Sequence, residues 1–297
     1  MSQIAFLGAI ETGLLFGLVA FGIYISFRIL DFPDLTVDGS FPLGAAVSAS
    51  MIVAGFNPWL ATLMAIVAGA AAGLVTAWMN VRLKILHLLA SILTMIALYS
   101  INLRIMGRPN VALLGDETVL TPLESLGLPY YWVAPLTFSL VVLVIGVLLV
   151  LFLKSETGLA MRATGSNPRM ARAQGVATAG MILLGMALAN GLVALAGSLF
   201  AQSQGSADVT MGVGVIVVGL ASVIGGEALL STRTILLAVV ACLVGSIFYR
   251  LVIAFALNAD FIGLKAQDLN LVTAVLVALA IVLPQLKSNM IARRRAR

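Results

Sequence analysis

Apolar runs of about the length of a membrane span recur along this chain, at 4–27, 36–54, 59–79, 85–103, 132–153, 177–200, 211–227, 232–257 and 269–286. A helix needs roughly 20 mostly apolar residues to cross the hydrocarbon core of a bilayer. Eight or nine such runs commit the chain to an all-α, polytopic membrane fold. Composition supports this: 61% of the 297 residues are hydrophobic and only 10% are charged, against about 25% charged in soluble domains. Mean hydropathy is +1.13. A soluble core of this size has no room for so much apolar side chain, so the excess faces lipid.

The rarer residues exclude several chemistries. One cysteine, Cys242, permits no intrachain disulfide and no cysteine metal cluster. One histidine, His87, removes the usual His-rich zinc site, and no metal site is expected. His87 itself reads as a satisfied or interfacial side chain. No Ser/His/Asp set or paired carboxylate stands out, so an enzyme has no residues to rest on. The net charge of +5 sits in short links and in the basic tail 287–297. That is the positive-inside pattern rather than a nucleic-acid surface. The run 4–27 has no basic residue before it and no small-x-small site after it, so it reads as a first span rather than a cleaved signal.

The chain reads as one transmembrane domain over 1–297, with halves at 1–153 and 177–286 around a polar segment at 154–176. Placing the cations of 80–84, 154–176, Arg233 and the tail in the cytoplasm gives nine spans, the N-terminus outside and the C-terminus inside. The loop 104–131, with Asp116, Glu117 and Glu124 against Arg104 and Arg108, then lies outside. Tyr130, Tyr131 and Trp132 fit an outer aromatic belt.

Two runs are irregular. The run at 36–54 follows Asp34-Leu35-Thr36-Val37-Asp38-Gly39, and the run at 211–227 follows Asp208-Val209-Thr210-Met211-Gly212. Both read as broken or partly re-entrant helices, which a membrane tolerates where protein or a water-filled cavity covers the backbone. The similar openings suggest an internal repeat of inverted topology, whose sites lie where broken helices meet. Chance similarity between Gly-rich apolar segments is the alternative.

The segment 154–176 is too polar to span. Asn167 can cap a helix, Pro168 sits at its first position and Gly175 supplies a stop. A helix of about two turns on the membrane surface follows. It serves either as a docking element or as a simple basic loop.

Thr157-Gly158, Arg162-Ala163, Gly165-x-Asn167, Ala171 and Gly175-Val176 resemble the coupling segment of ABC importer permeases of the branched-chain amino acid and ribose type. Asp34-Leu35-Thr36-Val37-Asp38-Gly39 resembles that family's Asp-Leu-Ser-Val-Gly opening of a broken helix, with Asp38 inserted before the glycine. The Gly-rich run ending Ile224-Gly225-Gly226 resembles its second broken helix. The resemblance implies that Thr157, Gly158, Arg162, Gly165, Asn167, Arg169, Arg172 and Gly175 dock onto a cytoplasmic ATPase. The chain has no Gly-x-x-x-x-Gly-Lys-Ser/Thr loop of its own, so ATP and Mg would belong to that partner, and this chain would bind no cofactor. An extracytoplasmic binding protein and a second permease copy, most simply a homodimer, are the other implied partners besides membrane lipid. No nucleic-acid partner is implied.

Ionisable groups within spans are costly and usually face protein or water. Glu11 in the first span and Arg250 in the eighth fall at similar depth, and either pair or snorkel. Asp34, Thr36, Asp38 and Ser40 either contact a solute or gate, or cap the half-helix they open. Asn190, Gln202, Ser203 and Gln204 either line a path or bond between helices. The expected function is translocation of a small polar solute, an amino acid with a branched or aromatic side chain, in an ABC importer. An ion-gradient-driven secondary transporter is the main rival, and a channel or scaffold the second.

Overall fold

The computed structural model describes residues 3–124 and 129–257, with positions 275 and 278. Eight of the nine apolar runs fall within these residues as helices, and the run at 269–286 lies outside them. Helix α1 (Gln3–Ile23) continues into a π-helical turn at Tyr24–Ile29. Then come α2 (Val37–Val53), α3 (Pro58–Leu83) and α4 (His87–Met106), with strand β1 at Asn110–Ala112 and the short α5 at Thr121–Glu124. The second half holds α6 (Tyr130–Lys154), α7 (Glu156–Ser166), α8 (Pro168–Ala173), α9 (Thr178–Gln204), β2 (Ser206–Asp208), α10 (Val215–Leu229) and α11 (Ile235–Leu257). Among the described residues six helices are long and apolar enough to cross a membrane, while α2 and α10 are shorter.

Helix α9 is the hub. It packs against α3, α2 and α1, and small residues let these backbones approach closely. A β-carbon at Gly44 of α2 or Gly73 of α3 would overlap a carbonyl of α9, and one at Gly197 of α9 would overlap the Phe41 carbonyl. Close backbone contact of this kind drives helix association where lipid removes the hydrophobic incentive.

The helical body carries one feature that the apolar pattern did not reveal. Strands β1 and β2 pair antiparallel, Val111 opposite Ala207. This ribbon closes one end of the molecule. Nearby, Gln202 Oε1 accepts the Val119 N–H at 2.9 Å, tying the loop after β1 to the end of α9. The other end carries α7 and α8. There Lys84 and His87 share a pocket with Pro168, Arg172 and Thr178, so the basic links at 80–84 and 154–176 occupy the same face.

Depth follows from α9. Its 27 residues span about 40 Å, and Asn190 lies near the midpoint. Asn190 Nδ2 donates to Asp34 Oδ2 at 2.8 Å, so the chain has returned to mid-depth just before α2 begins. Asp38, in the first turn of α2, meets the start of α10 through the N–H groups of Gly214 and Ile216. Both half-helices therefore begin in the middle. Helix α2 runs to the ribbon end, where Ser50 Oγ reaches the Ile105 carbonyl. Helix α10 runs the other way, and Glu227 near its end pairs with Arg28 beside the α7 seat.

Candidate functional site

The site grows from two Asp-x-Thr turns. Asp34 Oδ1 accepts the Thr36 N–H at 2.9 Å, and Asp208 Oδ1 accepts the Thr210 N–H at 2.8 Å. In each, an aspartate folds the backbone two residues on, as such side chains do in turns. The same local chemistry thus precedes both half-helices, three residues before α2 and seven before α10.

Around the first turn lies a buried polar network. Ser40 Oγ donates to Asn190 Oδ1 at 2.7 Å. Thr36 Oγ1 lies 2.9 Å from Thr76 Oγ1, which donates to Thr94 Oγ1 at 2.8 Å. Asp34, Thr36, Ser40, Thr76 and Asn190 are all fully buried. The structure therefore unites Asp34, Thr36, Ser40 and Asn190 of the sequence-derived set in one interhelical network. Thr76 and Thr94 complete it, and sequence reasoning missed them because threonine is ordinary within a helix of small residues.

Asp38 has a different role from the one its position suggests. It does not cap its own helix. Its Oδ1 accepts the Ile216 N–H at 2.8 Å and its Oδ2 the Gly214 N–H at 3.3 Å. The residue that departs from the family's opening pattern thus caps the half-helix of the other repeat, satisfying donors that the first turn of α10 leaves unpaired. Gly212 makes this approach possible, since a β-carbon there would overlap the Asp38 carbonyl.

Beside this junction opens a cavity of about 510 Å³, lined by Asp38, Pro42, Met95, Tyr99, Ser100, Asn102, Thr210 and Val213 among others. Asn102 Nδ2 donates to the Gly39 carbonyl at 3.2 Å, and its Oδ1 is buried with no donor. Asn102, Tyr99 and Ser100 were not among the expected site residues. The available signal was polar groups interrupting the fourth apolar run.

The remaining candidates lie elsewhere. Gln202 Nε2 donates to Thr62 Oγ1 at 2.9 Å and to Ser198 Oγ at 3.2 Å, bonding α9 to α3. Gln204 is exposed at the ribbon end. The Glu11–Arg250 pair does not form. Glu11 Oε1 instead accepts from Ser203 Oγ, and the Arg250 guanidinium lies 3.9 Å from the centre of the Phe16 ring. Matching depth put the two at one level, but their side chains meet different neighbours. His87 stacks on Phe32 with ring centres 4.2 Å apart, as a satisfied histidine should. Among the described residues no cluster of three or more His, Cys, Asp or Glu side chains forms that could hold a metal.

The 154–176 segment folds as two helices rather than one. Ser155 Oγ accepts the Gly158 N–H to cap α7. Asn167 Oδ1 accepts the Met170 N–H at 3.0 Å to cap α8, and Gly175 takes φ 86° at the stop, as the punctuation predicts. Helix α7 is seated in the body. Met161 is fully buried, a β-carbon at Gly165 would overlap the Ile29 carbonyl, and Gly158 packs on the end of α6. Arg162 Nη1 reaches the Leu153 carbonyl at 3.4 Å, and Thr157 Oγ1 lies 2.8 Å from Ser155 Oγ. Helix α8 is the exposed part: Arg169, Met170 and Arg172 face outward while Ala171 is buried. Of the eight coupling candidates, Gly158, Gly165 and the half-buried Arg162 therefore position the segment, while Arg169 and Arg172 offer a surface.

A family model described as branched-chain amino acid transport system / permease component matches residues 5–283. The chain is 39% identical over 265 residues to the tyrosine transport system permease protein of Clostridioides difficile, covering 89% of this chain and 86% of the relative. It is 36% identical over 277 residues to an uncharacterized protein of Rickettsia prowazekii, covering 92% of this chain and 95% of that one. Among solved structures, PsaBC from Streptococcus pneumoniae in complex with Fab shares the fold, with a TM-score of 0.56 at 16% identity over 94% of this chain and 90% of that one. The half-helices, the capped surface helices and these matches lead to one identification: the chain belongs to the branched-chain amino acid transport system permease family of ABC-type transporters, and is a multi-pass protein of the bacterial plasma membrane.

Proposed function

We infer that this chain is the translocating subunit of an ABC importer for an amino acid with an apolar or aromatic side chain. The carrying observation is the contrast within the 154–176 segment. A seated α7 holds a short, capped α8 whose basic face is uncovered. A plain basic loop needs neither the two caps nor the glycine contacts. In this reading α8 faces the cytoplasm and fits a cleft on an ATPase partner, which supplies ATP and Mg. Closure of that partner pushes α8, and α7 passes the displacement to the π-helical end of α1 through the Gly165 contact. Packed elements of this kind switch between discrete arrangements.

The ribbon end then faces outward to receive a binding protein, and two permease copies, most simply identical, frame the path. The solute class rests on the family description and on the relative named for tyrosine. Of the path candidates, Asp38 borders the cavity at the half-helix junction. Asp34, Thr36, Ser40 and Asn190 brace that junction from within the protein.

Co-purification with the ATPase tests the reading. The Arg169→Glu, Arg172→Glu double variant is expected to lose the ATPase and ATP-dependent uptake of L-tyrosine or L-leucine, yet insert and fold normally. Uptake by the wild-type chain without an ATPase, driven by an ion gradient, would replace this reading with a secondary transporter.

A further inference from the structure

The cavity at the half-helix junction carries more than a location. Its carboxylate, its amide and one of its threonines accept rather than donate. Asn102 Oδ1 is buried without a donor, because the amide's other end is committed to the Gly39 carbonyl. The Thr210 hydroxyl hydrogen is committed to Asp208 Oδ1 at 2.6 Å, which leaves the oxygen's lone pairs free. Each Asp38 oxygen takes one backbone N–H and retains further acceptor capacity. Among the described lining residues there is no lysine, arginine or histidine. The remaining wall is mostly apolar and aromatic, with Pro42, Met95, Tyr99 and Val213, and carries the neutral hydroxyls of Tyr99 and Ser100. A buried acceptor with no donor is costly and calls for an explanation in a native structure.

We propose that this cavity is the amine subsite of the transport path. Asn102 Oδ1 and the Asp38 carboxyl receive the ammonium group of the solute, while Tyr99, Met95 and Pro42 hold its apolar body. The volume of about 510 Å³ is within the usual range for small-molecule sites. The cavity therefore favours a primary amine, and offers a carboxylate no cation and only the neutral hydroxyls of Tyr99 and Ser100. The start of α10, which would otherwise attract an anion, is already occupied by Asp38. This subsite rests on the importer reading for its role in transport, but its charge preference does not.

The test labels a cysteine in the cavity of the intact chain in membrane vesicles, without partners. Ser100→Cys provides the probe site. The wild-type chain, whose single Cys242 is buried, is the blank. Rates are compared for the cationic 2-aminoethyl and the anionic sulfonatoethyl methanethiosulfonates, each normalised to its rate with a free thiol. The expected preference for the cation is about tenfold, the scale of a hydrogen bond to a charged group. Adding Asn102→Leu and Asp38→Asn is expected to remove it, and Asn102→Asp to keep or raise it. Should Asn102→Leu fail to insert, the Asn102→Asp and Asp38→Asn arms still decide. Tyramine is expected to slow labelling, and 3-(4-hydroxyphenyl)propionate not to. Equal normalised rates, an anion preference, or protection by both analogues or by neither overturns the subsite. Loss of ATP-dependent uptake by the wild-type assembly would overturn the importer reading and leave the labelling result standing.

Discussion

The two half-helix entries begin with the same turn and end in different surroundings. At the first, Asp34 is fully buried and shares its carboxylate between the Thr36 N–H and the Asn190 amide. At the second, Asp208 lies near the surface. It is held by the Thr210 N–H and hydroxyl, with Asn110 Nδ2 at 3.3 Å on its other oxygen. One turn is wired into α9 and α3, and the other into itself and the ribbon. Identical local grammar thus provides a buried brace in one half and a rim nearer the surface in the other.

That contrast can be broken most sharply at Asp34. Asp34→Ala strands the Asn190 amide and the Thr36 N–H within the protein, and is expected to cost about 2–4 kcal/mol. Asp208→Ala is expected to cost below about 1 kcal/mol. Thermal unfolding followed by fluorescence-detected size exclusion measures both, and equal losses would erase the distinction between brace and rim.

The next effect concerns how closely the entries approach. Gly212→Ala forces a β-carbon against the Asp38 backbone and Pro42, and is expected to destabilise by about 1–3 kcal/mol. Gly165→Ala should show a similar loss, because its β-carbon meets the Ile29 carbonyl. An Ala tolerated at both positions with unchanged melting would show that these helices separate more easily than their packing suggests. Gly175→Ala has open space around it and carries only the strain of a positive φ, about 1 kcal/mol.

A smaller effect is expected at the far end of α10. Arg28 Nε donates to Glu227 Oε1 at 2.8 Å, and Nη2 to the other carboxylate oxygen. Half of the Arg28 side chain is exposed, at 51%, so a double-mutant cycle should give at most about 1 kcal/mol, declining with added salt. A coupling several times larger, insensitive to salt, would mean that the pair is closed off from water in the assembled transporter.

The smallest effect is a pH signature confined to the rim. The Thr210 hydroxyl and then its N–H hold the Asp208 carboxyl below its ordinary value. A carboxyl depressed on folding contributes stability above its unfolded pKa and loses it as pH falls through the folded value. Asp208→Asn should therefore flatten the acid-side slope of stability slightly and leave neutral pH nearly unchanged. A steeper acid slope in the variant would contradict the hydrogen-bonding assignment.

Much of the architecture could be read from residue order alone, and the reasons are local. Transfer of about 20 apolar residues out of water defines a span wherever it occurs, so α1, α3, α4, α6, α9 and α11 appear where the runs lie. The Asp-x-Thr turns and the Asn167-Pro168 to Gly175 punctuation act over two to eight residues, and they break or begin helices regardless of what surrounds them. The candidate site was only partly readable. Asp34, Thr36, Ser40 and Asn190 were picked as polar exceptions in apolar runs. Their union in one network depended on helices 150 residues apart in sequence.

What residue order alone determined here is where the chain enters the bilayer, where it breaks, and which segment stays in water. Tertiary structure decided the pairings: Asp38 with the opposite half-helix, Glu11 with Ser203, Arg250 with Phe16, and Asn102 with an acceptor left over. Helices that are apolar all round present no periodic stripe to reveal which face meets which neighbour. In lipid that choice is made by close packing and by the need of each buried polar group for a partner.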